Sequence, residues 1–122
     1  MNNLVAVFIG GGAGSLARYG VSMLVVKLAP KAIFPLATLV SNVASCLIFS
    51  LVLLFVSEKA SVSFPLRLLL LTGFCGGFST FSAFSYETAE LLRSGNITYA
   101  AANILLSLIC CFAVIWFIYP KQ

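Results

Sequence analysis

The chain has 122 residues, of which 61% are hydrophobic and 8% charged. A soluble domain of this size lacks the interior to hide so much apolar surface, so the composition describes an integral membrane protein. The net charge of +4 comes from seven scattered Lys and Arg, which gives no support to nucleic-acid binding, and the lack of histidine excludes a histidine metal site or general base.

Four apolar stretches follow one another, near 4–26, 34–56, 66–92 and 97–118. Each is long enough to cross ~30 Å of hydrocarbon as a helix. The expected fold is an all-α integral membrane protein of four transmembrane helices, with residues 1–122 as one transmembrane domain. The N-terminus lacks a basic region, and its apolar run continues into a full span, so a cleaved signal peptide is not expected. Cys46, Cys75, Cys110 and Cys111 fall within the spans and read as small apolar fillers rather than a disulfide framework.

The first span contains Gly10-Gly11-Gly12-Ala13-Gly14 and then Arg18. Gly12-x-Gly14-x-x-Ala17 imitates a dinucleotide fingerprint, but no acidic residue follows until Glu58. Close helix packing through Gly10-x-x-x-Gly14 is the better reading. An arginine so far into a span either faces a cavity or partner, or snorkels to the interface. In the second span Thr38, Ser41, Asn42 and Ser45 share one helical face and line a polar path or glue helices together.

The third span holds Thr72 to Ser85, T-G-F-C-G-G-F-S-T-F-S-A-F-S. Three glycines (Gly73, Gly76, Gly77) and the hydroxyls of Ser79, Thr80, Ser82 and Ser85 weaken a plain helix and predict a broken one. Broken backbone at membrane depth is tolerated against protein or a cavity, and its freed carbonyls often meet an ion. Phe81 and Phe84 share the face that follows. The fourth span aligns Tyr99, Asn103, Ser107 and Cys111 as a polar track.

Lys59, Arg67 and Lys121 fall on one side of the membrane, and Lys27, Lys31 and Arg93 on the other. This tie leaves the positive-inside rule without a preference, so the chain is expected to insert both ways and pair as an antiparallel dimer. The spans offer donors and positively polarised ring edges but almost no carboxylates, which suits a small anion. A four-span dual-topology multidrug exporter would need a membrane-embedded acid. A non-transporting membrane assembly subunit would use the same glycines and phenylalanines for packing alone.

The motif G-x-x-G-G-x-[ST]-T-F-S-x-F-S, present from Gly73 to Ser85, resembles the Fluc family of fluoride channels, also called CrcB. Gly10 to Tyr19 and Thr38 to Asn42 support the resemblance, which covers essentially the whole chain. It implies an antiparallel dual-topology homodimer in the plasma (inner) membrane, passing fluoride passively and conferring fluoride resistance. By the same resemblance Phe81, Phe84, Asn42, Ser82, Thr38, Ser107 and Arg18 belong to the fluoride pathway. Gly76 and Ser79 would hold a structural sodium ion through backbone carbonyls. Its partners would be fluoride, the lipid bilayer and an inverted second copy; the resemblance implies no enzyme activity. The chain departs from the family pattern at Ser79, Asn103, Cys111 and Ser45-Cys46.

Overall fold

The structure is a computed structural model that describes residues 1–59 and 61–119. Lys121, one member of the charge tie, lies outside the described residues. Helix α1 (Asn3–Leu28) is capped by Asn2, whose side chain accepts the Leu4 N–H at 2.7 Å. Helix α2 (Leu36–Glu58) begins directly after Pro35, two residues later than the apolar run suggests. The third span opens with α3 (Phe64–Arg67), continues as a π-helical segment π1 (Leu68–Cys75) and closes its first half with α4 (Gly76–Phe78). Helix α5 (Phe81–Arg93) completes that span, and α6 (Ile97–Ile118) is the fourth. Gly95, at φ 82°, makes the tight turn between them in a conformation that glycine adopts without penalty.

All four spans are long and apolar enough to cross a membrane, and together they make a multi-pass membrane protein. Their burial pattern is inverted relative to a soluble fold. Thr38, Ser41, Ser45, Ser50, Thr88, Asn103 and Ser107 are buried, whereas Phe8, Phe112 and Phe117 are exposed. Lipid is as apolar as leucine, so the interior is held by small residues and hydrogen bonds instead of by apolar sequestration.

Helix α1 packs along π1 and α4. Four glycines make that approach possible. A Cβ added at Gly73 would lie 2.9 Å from the Gly10 Cα, and one at Gly14 would collide with the Phe74 carbonyl and lie 2.9 Å from the Phe78 nitrogen. Gly10 and Gly77 are closed in the same way, against the Leu69 and Gly11 carbonyls. The Gly10-x-x-x-Gly14 packing expected from the sequence is therefore present. Its counterpart is Gly73-x-x-x-Gly77 on the third span.

The third span is interrupted as expected, but not by its glycines. Gly73 lies within π1, and Gly76 and Gly77 are α-helical. The break falls at Ser79 (φ −84°, ψ 157°) and Thr80 (φ −153°, ψ 117°), both extended. Gly73 and Gly77 serve the contact with α1, and the hydroxyl residues beyond them end the helix, because their side chains can take over backbone hydrogen bonds.

Candidate functional site

The break is held open from α2. Asn42 Oδ1 accepts the Thr80 N–H at 2.8 Å, and Asn42 Nδ2 donates to the Thr80 carbonyl at 3.3 Å. In a continuous helix that N–H would bind the carbonyl of Gly76, four residues back. Thr80 then restarts the chain as an N-cap, its hydroxyl accepting the Ala83 N–H at 3.1 Å. On the near side, the Cys75 carbonyl accepts the Ser79 N–H at 3.0 Å, the Ser79 hydroxyl at 2.7 Å and the Ser45 hydroxyl at 2.9 Å. The polar face of α2 thus meets the third span residue by residue. Ser45 takes the end of π1, Asn42 takes the break, and Thr38 donates to the Glu87 carboxylate on α5.

Beside the break lies a cleft of about 240 Å³ between α2, α5 and α6. Asn42, Cys46, Ser79, Thr80, Phe81, Phe84, Ser107, Leu108 and Cys111 line it. Phe81 and Phe84 stand 5.7 Å apart, centroid to centroid, with their planes inclined at 40°. Phe81 is 78% exposed, unusual for a ring next to a buried polar seam. The wall on α6 is anchored by a relay from Ser107 to Asn103 (3.4 Å), from Asn103 to Thr88 (3.0 Å) and from Thr88 to the Phe84 carbonyl (2.7 Å). Asn103 is completely buried, and its amide joins α6 to α5 while orienting Ser107.

The structure brings Asn42, Phe81, Phe84 and Ser107 together in this cleft. It places the other expected residues around it. Ser82 is exposed and pairs with the Thr80 hydroxyl at 3.2 Å. Thr38 lies one turn before Asn42, tied to Glu87, which lines a separate cavity of about 410 Å³ with Phe34, Glu90, Ser94 and Asn96. Arg18 does not line the cleft; its Nε donates to the Gly77 carbonyl at 3.3 Å. That carbonyl loses its helical partner when the chain extends at Ser79 and Thr80, so the arginine satisfies an acceptor that the break exposes. Gly76 and Ser79 line a second cleft of about 260 Å³ with Ser45, Thr72 and Cys75.

Sequence reasoning did not reach the roles of three residues here: it read Thr80 as one of several helix-weakening hydroxyls and Cys46 as a filler, and it did not single out Thr88. Thr80 is the cap at the break, signalled by a threonine standing before an apolar periodic run. Cys46 follows Asn42 by four positions and so shares its face. Thr88, seven beyond Phe81 on α5, carries the relay to Asn103. Tyr99, by contrast, leaves the expected polar track: it is exposed and meets the Phe34 ring edge-on at 6.4 Å.

Four apolar helices around a polar seam, with one helix broken beside a cleft, define a membrane protein of the small ion-pathway class. The model of the family described as CrcB-like protein, Camphor Resistance (CrcB), matches residues 5–119, and the chain belongs to that family. Its relatives include the fluoride-specific ion channel FluC of Coxiella burnetii (strain CbuK_Q154), 44% identical over 115 residues, 93% of this chain and 92% of that protein. The fluoride-specific ion channel FluC 1 of Yersinia pestis is 45% identical over 107 residues, covering 87% and 82%. The FluC of Flavobacterium psychrophilum is 39% identical over 116 residues, covering 95% and 93%.

Proposed function

We propose that this protein is a passive, fluoride-selective channel giving fluoride efflux and resistance, with the cleft between α2, α5 and α6 as part of its path. The observation that carries the proposal is the meeting of Asn42, Ser107, Phe81 and Phe84 beside a helix break. The FluC relatives support the choice of ion. A dehydrated anion needs partners that replace its water, and the cleft offers the second amide hydrogen of Asn42 and the positive edges of two rings, with the Ser107 hydroxyl, which can turn from Asn103, beside them. A narrow path of several weak contacts admits a small anion and releases it again. Thr38 extends the polar line toward the Glu87 cavity, and Ser82 lies at the opening beside Phe81. Arg18 acts on the path indirectly, by holding the break.

Replacing either ring tests this reading. Phe81→Ile or Phe84→Ile keeps apolar bulk but removes the polarised edge, and fluoride efflux from proteoliposomes should fall by about tenfold or more, the worth of one ring contact. Elution as the parent species checks the fold. Parent-rate efflux from both variants would make the rings packing residues.

The working unit in this proposal is an antiparallel homodimer with a sodium ion at its centre. The fit to such an ion rests on the backbone. Thr80 N–H is turned to Asn42, which releases the Gly76 carbonyl, and extended Ser79 leaves its own carbonyl outside the helix. Carbonyl oxygens are suitable ligands for a hard cation, but two are too few to coordinate it. A second copy would double the set. When bound, the ion would supply positive charge that ties the broken backbones together; Gly76 and Ser79 are the residues that would hold it.

Gly76 gives a test that separates dimer from protomer. It is exposed, its backbone is helical, and a Cβ there meets nothing within 4 Å. Gly76→Val is therefore compatible with a single chain. If a partner and an ion sit against it, the variant should elute as a monomer while keeping its helical circular dichroism. An unchanged dimer would place the interface elsewhere. Dual insertion predicts activity from C-terminal reporters on both sides of the membrane, and signal from one side alone would contradict it.

A further inference from the structure

Two of the four cysteines in this chain line the cleft, Cys46 from α2 and Cys111 from α6. Both side chains line this one cleft, from two helices packed against each other, and Cys46 also reaches the second cleft, which Cys75 lines. No disulfide joins them, and both are half-buried. Their positions in the two helices match: Cys46 is one turn beyond Asn42, and Cys111 is one turn beyond Ser107. The pair therefore sits directly after the two polar donors of the cleft wall. Cys75 and Cys110 do not line this cleft.

We propose that Cys46 and Cys111 form a paired-thiol site for a two-coordinate, thiophilic metal ion of the mercuric class, and that loading it closes the cleft to anions. The closure half rests on the reading of the cleft as the anion path. Sulfur ligands select soft ions over the hard cations that carbonyls hold. Charge also favours this class. A mercuric ion with two thiolates is a neutral complex, and neutrality removes the cost of burying charge in an apolar cleft. With mercuric chloride as the source, both S–H bonds break and two Hg–S bonds form, while two protons and two chlorides leave. No electron is transferred. The neutral dichloride crosses the hydrocarbon, so the site is reachable from either side.

The test uses the intact protein in detergent and in liposomes, titrated with mercuric chloride. One metal per chain should bind with ultraviolet sulfur-to-mercury charge transfer. Loaded protein should show two of its four thiols protected from maleimide, mapped to Cys46 and Cys111 by mass. Fluoride efflux should drop and return on addition of a dithiol. Cys46→Ser and Cys111→Ser should each give up the metal to a competing monothiol at concentrations that leave the parent loaded, because one of the two soft ligands is gone. Cys75→Ser and Cys110→Ser should retain it like the parent. Efflux is read as the ratio before and after metal for each protein, so a changed basal rate does not enter. Protection falling on Cys75 or Cys110, or retention unaffected by both Cys46→Ser and Cys111→Ser, overturns the site. Protection of Cys46 and Cys111 with undiminished efflux overturns the closure; the cleft as the path is tested separately, by the Phe81→Ile and Phe84→Ile efflux rates. The maleimide pattern comes from the parent chain, so it stands even if a variant fails to fold.

Discussion

Gly14→Ala is expected to destroy the folded protein, although it adds a single methyl group. That methyl would be driven into the Phe74 carbonyl and would lie 2.9 Å from the Phe78 nitrogen. Both are backbone atoms, so no side chain can swing away. Relief requires α1 to separate from π1 and α4, and the contact along that seam also involves Gly10, Gly73 and Gly77. Overpacking of a close-packed interior commonly costs about 1–3 kcal/mol, and this backbone collision belongs at the upper end or beyond. Alanine's better helix propensity returns no more than about 1 kcal/mol. Gly20 lies on the same helix with nothing within 4 Å of its Cβ position. Gly20→Ala should accordingly melt at or above the parent temperature, while Gly14→Ala should aggregate or elute in the void. Similar melting for the two would contradict the seam.

The second large effect is at Asn42. Its amide oxygen and nitrogen are both engaged with Thr80, so it fixes the break while facing the cleft. Asn42→Asp keeps the acceptor for the Thr80 N–H, loses the donor to the Thr80 carbonyl and adds a negative charge. At a separation of about 4 Å and an effective dielectric near 20, like charges repel by about 4 kcal/mol, so fluoride efflux should fall on the order of 100-fold or more. Asn42→Ala adds no charge but strips the Thr80 backbone of both partners. An unsatisfied buried N–H costs about 1–3 kcal/mol, so this variant should lose stability as well as rate, more than removal of a path donor alone would imply. Efflux and melting measured together separate the two. Aspartate should impair rate more than fold, and alanine should impair both. Parent-rate efflux from a folded Asn42→Asp channel would remove Asn42 from the path.

Much of this arrangement is legible in the residues. Apolar length marked out four spans, and the i, i+3, i+4, i+7 spacing of Thr38, Ser41, Asn42 and Ser45 put them on one face. The partners of that face were not legible, because local spacing carries no information about which helix lies opposite. Hence Asn42 emerged as a donor for an anion, while its bonds to Thr80 required the packed structure. The glycines misled in a specific way. Gly73, Gly76 and Gly77 weaken an isolated helix, yet here tertiary contact with α1 keeps Gly73 and Gly77 helical, and Ser79 and Thr80 extend instead. Arg18 likewise could not be assigned from depth in its span alone, since its partner is a carbonyl 59 positions away in the chain. Thr88 passed unnoticed and Cys46 was read as a filler, because each is ordinary by itself and gains meaning from its surroundings.

The most direct measurement is ion release from liposomes holding the purified parent protein, followed with fluoride- and chloride-selective electrodes. Potassium is allowed to move through an ionophore so that no charge accumulates. The account predicts rapid fluoride release that depends on protein and needs no added energy source, with chloride retained until detergent is added. Fluoride held as tightly as in protein-free liposomes, or chloride released at the same rate as fluoride, would contradict it.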